Sequence, residues 1–183
     1  SVGPAGLLCD VNRGTIENCY TSGSITAKSR VGGLVGDSYG PVRNCYSTAN
    51  VHSLNTEAGG LIGVALGGSV TENCYATGTV TTDTRNAGGV VGYGYNGTVV
   101  QNCIALNEKV NGNTFSNRVV GRVLSGNVAT LVNNFGSPKV IVVSENQGLA
   151  ATTTEKGATA TLSQVRSQAF YADTLGWDFE TAW

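Results

Sequence analysis

The chain has 183 residues, 40% of them hydrophobic, with 11 basic and 12 acidic side chains spread along it and a formal net charge of -1. That balance leaves no electrostatic footprint for nucleic acid or an anionic membrane, and no apolar run approaches the ~18 residues of a membrane span. Ser1 follows neither a Met nor a charged-then-apolar leader, so the chain reads as a piece of something longer. With 26 glycines and only 13% charged residues, the composition favours strands and tight turns over helices and predicts an all-β fold.

In chain order, two short patterns alternate. A degenerate glycine box, "AGLLC" from Ala5, is followed by "ENCYTSGSI" from Glu17. Then come "VGGLVG" from Val31 with "RNCYSTANV" from Arg43, "AGGLIG" from Ala58 with "ENCYATGTV" from Glu72, and "AGGVVG" from Ala87 with "QNCIALNEKV" from Gln101. A last degenerate box, "NRVVG" from Asn117, precedes "LVNNF". Asn18, Asn44, Asn73, Asn102 and Asn133 are therefore 26, 29, 29 and 31 residues apart. Self-similarity at that period marks a solenoid, because one unit cannot bury its own apolar face and stacked units share a continuous core. The prediction is a parallel β-helix of about five coils between Ala5 and Phe135. Each coil would hold two or three short strands, with the right hand that dominates parallel crossovers.

Within a coil the Asn is predicted at a bend, since Asn tolerates left-handed backbone and its amide can bond to the equivalent Asn one coil away. Ile16, Val42, Val70 and Val100, just ahead of it, are expected to face inward. If the bend resets the alternation, Cys19, Cys45, Cys74 and Cys103 point in, with small Thr21, Ser47, Ala76 and Ala105 two residues later. Tyr20, Tyr46 and Tyr75 then point out as a ladder that Ile104 ends. Parallel cysteines stacked about 4.8 Å apart suit neither a disulfide nor a tetrahedral zinc site, so all five thiols, Cys9 included, are expected free. Cys9 is matched with Gly36, Gly63 and Gly92 on another part of the coil.

The motifs "GGLVG" and "GGLIG", followed by "NCY(S/A)T" and a Val, resemble the GLUG repeat of bacterial secreted and surface proteins, which also occurs in non-catalytic regions of immunoglobulin A metallopeptidase-like proteins. The resemblance spans Ala5 to Val110 and weakens where Arg118 replaces the second Gly and Asn134 the Cys. It implies an extracellular or bacterial cell-surface setting and a stalk or adhesion role beside flanking domains of a parent protein. The partner would be a host or bacterial surface protein or a glycan. It carries over no catalytic residue and no cofactor, and no HExxH occurs in the chain.

Residues 1–135 are assigned to the repeat and 136–183 to a closing segment. There "KVIVV" from Lys139 reads as a strand and "GLAATTTEKGATA" as a polar connection. A short helix starts at a capping box of Thr161 and Gln164, lays Leu162, Val165 and Ala169 on one face and ends at Gly176. Trp177, Phe179 and Trp183 are expected to cap the last coil. Few residues suggest chemistry. Asp10 and Asp37 each follow a box and would lie on adjacent coils, a weak calcium candidate or a glycosidase-like pair, although Val64, Tyr93 and Arg122 take that position later and calcium wants six or more oxygens. Glu17, Arg43 and Glu72 would form a column of alternating sign, and His52, the single histidine, reads as a solvated loop residue. Asn96 starts an "NGT" glycosylation acceptor that is first a turn signal. The sequence thus favours a non-enzymatic structural or adhesion module whose ligand meets Tyr20, Tyr46 and Tyr75. A carbohydrate-binding module on that ladder or, further off, a polysaccharide-cleaving β-helix are the alternatives.

Overall fold

A computed structural model describes residues 3–95, 97–124, 129–144 and 156–183. Asn96 and most of the polar connection lie outside them. The chain winds into a parallel β-solenoid of five coils, whose strands stack into four five-stranded sheets and one six-stranded sheet. Each coil holds five strands rather than two or three. In the second coil these are Val31–Gly32, Val35–Ser38, Val42–Arg43, Tyr46–Ser47 and Asn50–Ser53. Segments this short carry almost no alternation of their own, and only stacking on the neighbouring coil defines them as strands.

The asparagine corners explain the period. Asn18, Asn44, Asn73, Asn102 and Asn133 all have φ between 52° and 54°, the left-handed region that Asn enters more readily than other side chains. Asn73 Nδ2 donates to Asn44 Oδ1 at 3.2 Å and Asn133 Nδ2 to Asn102 Oδ1 at 2.9 Å. Because the bend reverses the alternation, the column two residues ahead faces in. It is Ile16, Val42, Thr71, Val100 and Leu131. Thr71, fully buried, therefore takes the place expected of Val70, which is half-exposed. Replacing Asn73 by Ala should cost about 1 kcal/mol more than replacing it by Gly, since both lose the amide bond and only Ala meets the left-handed penalty. Urea unfolding of the two variants measures the difference.

The glycine boxes pinch the coil. A Cβ on Gly33, Gly60 or Gly89 would strike the carbonyl oxygen of Gly60, Gly89 or Arg118 on the next coil. Across the coil it would also meet Ser47, Ala76 or Ala105. The small residues after each Cys are small because a box backbone lies directly opposite. The pinch divides the interior into two apolar clusters, one around Leu34, Leu61, Val90 and the cysteines, the other around Val31, Val51, Val80 and Val110. In the fifth coil the pattern is exchanged. Arg118 stands where the Gly was and Gly136 stands where the Ala was, and a Cβ on Gly136 would come 2.8 Å from Arg118 Cδ.

The closing segment differs from the expected helix. The capping box forms, with Thr161 N donating to Gln164 Oε1 at 2.7 Å and Gln164 N to Thr161 Oγ1 at 3.2 Å. It leads only into a 3-10 turn at Gln164–Arg166 and a five-residue π-turn at Phe170–Thr174, and Gly176 ends that turn at φ 71°. Phe170, Leu175 and Trp177 are buried, whereas Leu162 and Ala169 are exposed. The strand expected from Lys139 begins at Ile141 and extends the sheet of Val51 and Val80. Ala158–Thr159 adds a sixth strand beside Phe135–Gly136.

Candidate functional site

The outward column after the cysteines is an aromatic ladder. The rings of Tyr20 and Tyr46 are 5.1 Å apart and 8° from parallel, and those of Tyr46 and Tyr75 are 4.7 Å and 3°. Tyr20 is 65% exposed, so the strip is open at its first ring. At the other end Ile104 is buried, because the closing segment lies along this flank as well as following the fifth coil. Trp177 reaches Tyr75 at 6.0 Å and donates its Nε1 to Asn102 O at 2.9 Å. Trp183 stacks on Trp177 at 4.6 Å and meets Tyr75 and Tyr46 at 5.6 and 6.1 Å. Burial first, then Tyr46 and Tyr171, push the Tyr75 phenol up to about 12. Sequence reasoning read the two tryptophans as an end cap and missed that they continue the strip. The repeat period, which stops before them, gave no register to place them by.

Behind the ladder the cysteines stand in a column that is half-buried at Cys19 and buried from Cys45 to Cys103. Each thiol donates to the carbonyl two residues earlier: Cys19 to Glu17 O at 3.1 Å, Cys45 to Arg43 O at 2.9 Å, Cys74 to Glu72 O at 3.0 Å and Cys103 to Gln101 O at 3.1 Å. Asn134 finishes the column, accepting from Cys103 N at 3.0 Å and donating to Val100 O at 2.7 Å. All five cysteines are free. Burial pushes the Cys9, Cys19 and Cys74 thiols up, and Cys45 is raised first by its hydrogen bond with Cys74 and then by burial. Such thiols are poor nucleophiles. Titration of the unfolded chain without reductant should find five thiols. In the native state the half-buried Cys9 and Cys19 should react first, and Cys45, Cys74 and Cys103 only on unfolding.

The carboxylates Asp10 and Asp37 do not come together. Cys9 pairs with Val35, not Gly36, and Val11 pairs with Asp37. Asp10 is therefore one residue out of register and on the opposite side of its strand, where it is exposed and accepts weakly from Gly6 N at 3.4 Å. Asp37 is 3% exposed and ion-paired with Arg30 at 2.9 Å. Burial raises its pKa above the ordinary 3.8, Arg30 opposes that and Glu57 adds to it. A carboxyl that holds its proton more tightly when folded contributes stability at low pH that is lost as pH rises through its raised value. Asp37→Asn should remove that fall, so urea midpoints from about pH 4 to about pH 7 should decline less steeply than in the wild type.

The remaining charges form short networks. Arg43 bridges Glu17 at 3.4 Å and Glu72 at 3.2 Å, and Gln101 donates to Glu72 at 2.9 Å. His52 lies on a strand rather than a loop, with its Nε2 2.8 Å from Asp83 Oδ1. Beside a hollow of about 550 Å³ the Arg118 guanidinium donates to Gly136 O, Lys156 O, Gly157 O and Thr159 Oγ1. Among the described residues no three His, Cys, Asp or Glu converge on a metal position, and no helix is long and apolar enough to cross a membrane.

Comparison with known proteins agrees with this geometry. Residues 55–81 match the family model described as the GLUG motif. No curated protein matches the chain. Its fold is similar to the crystal structure of a candidate immunoglobulin A1 protease from Bacteroides ovatus, with a TM-score of 0.74 and 22% identity over 93% of this chain. This chain spans 59% of that one's length. The chain is thus a five-coil β-solenoid that carries the GLUG motif.

Proposed function

We propose that this chain is a non-catalytic structural and adhesion module of a larger secreted or surface-attached bacterial protein, and that its ligand meets the flank of Tyr20, Tyr46 and Trp183. The observation that carries the reading is the stacked ladder with its first ring 65% exposed. Rings stacked face to face show their edges along the flank and one free face, that of Tyr20, at the open end, and this rigid apolar surface can be covered without ordering flexible side chains, which suits a partner protein and equally a sugar ring. The open face of Tyr20 favours a glycan as the second form of the same reading. Two observations support the non-catalytic half of the reading: Cys45, Cys74 and Cys103 are buried, and Asp10 and Asp37 lie on opposite sides of their strands rather than facing one another.

Tyr75 is held by the tryptophans, so the test leaves it alone. A Tyr20→Ser, Tyr46→Ser double variant is compared with the wild type for adhesion of coated beads to epithelial monolayers and for signals on a glycan array. Loss of adhesion with a melting temperature within a few degrees of wild type is the expected result. Unchanged adhesion together with a large drop in melting temperature would leave the ladder as a stiffener of the coil. Release of reducing ends from an acidic polysaccharide by the wild type would overturn the non-catalytic reading.

A further inference from the structure

The column that begins with Val11 and Asp37 continues through Val64 and Tyr93 to Arg122, each residue paired with the next. Beside its last two members is a cleft of about 190 Å³. On its wall Glu57 and Asn86 are 8% and 4% exposed, and Asn86 Oδ1 is buried without a hydrogen-bond partner. Arg85 approaches Glu57 only loosely, at 3.8 Å, with its side chain 64% exposed. Arg122 lies 4.3 Å over the Phe115 ring and has no carboxylate within 4 Å among the described residues. Tyr95, 41% exposed, meets Tyr93 edge-on at 4.9 Å.

These groups make a specific demand. A buried amide oxygen without a donor costs about 1–3 kcal/mol, and the nearby Glu57 carboxylate is a further acceptor. Two guanidinia facing one carboxylate leave one positive charge unmatched, and the planar fork of Arg suits a second carboxylate. An occupant that answers all three needs hydroxyl donors, one negative charge and a ring face to lie on tyrosine. We propose that the cleft binds one acidic sugar residue, its carboxylate on Arg122 and Arg85, its hydroxyls donating to Asn86 Oδ1 and Glu57, and its ring against Tyr95. The size of the cleft admits one such ring rather than a run of them. This site is on a different sheet from the tyrosine ladder and stands independently of the role proposed for that flank.

The probe is sodium glucuronate, titrated into labelled protein and followed by amide chemical shifts, with glucose, acetate and a glutamate-containing tripeptide as comparisons. Saturable shifts at Tyr93, Tyr95 and Arg122 with glucuronate are expected, with at least about tenfold weaker binding in Arg122→Gln. Asn86→Ala should also weaken binding. That variant decides the matter if Arg122→Gln fails to fold, since removing an unpartnered buried oxygen should leave the fold intact or firmer. Acetate shifting the same amides as strongly would reduce the cleft to an adventitious anion site. Equal binding of glucose, preference for the tripeptide, or undiminished glucuronate binding in Asn86→Ala would overturn the proposal.

Discussion

Gly60→Ala should lower the melting temperature by on the order of 10 °C, although it adds a single methyl group. The new Cβ would collide with the Gly89 carbonyl of the next coil and stand 2.8 Å from Ala76 Cβ across the same coil. Both obstacles belong to rigid stacked elements, so the site cannot relax as a flexible side chain would. Overpacking costs about 1–3 kcal/mol and occasionally more, and two simultaneous collisions place this variant near the upper end. At about 2–4 °C per kcal/mol for a chain of this size, that cost gives the expected shift. Gly14→Ala is the control, because nothing lies within 4 Å of the Cβ it would add, and it should stay within about 0.5 kcal/mol of wild type. Adding Ala76→Gly should relieve only the contact across the coil. A Gly60→Ala variant that melts with the wild type would show that the boxes do not pinch the coil.

Trp177→Ala should cost about 3–5 kcal/mol, the range for emptying a buried aromatic site. Trp177 is 6% exposed, donates to Asn102 O and lies between Tyr75 and Trp183. Its loss uncovers Ile104 and loosens the closing segment from the flank. A second readout separates local release from global weakening. The Tyr75 phenol is held up to about 12 chiefly by burial, so release of the segment should bring its ionisation back toward the ordinary 10 in an alkaline absorbance titration. The sign of the linkage agrees: a phenol raised when folded contributes stability below pH 10 that is lost as pH climbs through 12. A Tyr75 ionisation still held up to about 12, with only the melting temperature lowered, would mean that the segment stays docked without its tryptophan.

The column architecture was legible because it is written five times. Asn at a fixed period has one good reason to recur, and the alternation on either side of Cys19, Cys45, Cys74 and Cys103 follows from the bend. Errors arose where letters were matched instead of positions. Asp10 and Asp37 both follow a box, yet counting from Ala5 and Val31 puts Val11 opposite Asp37. Likewise Val70 is the more apolar residue, but the count from Asn73 selects Thr71. The five strands per coil were hidden because two-residue segments have no period to read. The cleft at Glu57, Asn86 and Arg122 joins residues from three coils that no motif links, and its one trace in the sequence is that the column holding Asp37 changes character at every coil.

The closing segment touches Tyr46 in the second coil, Tyr75 in the third, Asn102 in the fourth and Phe135 in the fifth. In a stack whose coils are joined by backbone hydrogen bonds directed along its length, tension applied at the two ends loads one coil boundary after another, as in opening a zip. A strip running lengthwise over four coils changes that mechanics. It acts as a splint, so the three boundaries between those four coils share the load while the first coil, outside its reach, is the place where stretching begins. Under a pulling force the solenoid is expected to release the coil carrying Tyr20 at low tension and then hold until the tryptophans detach.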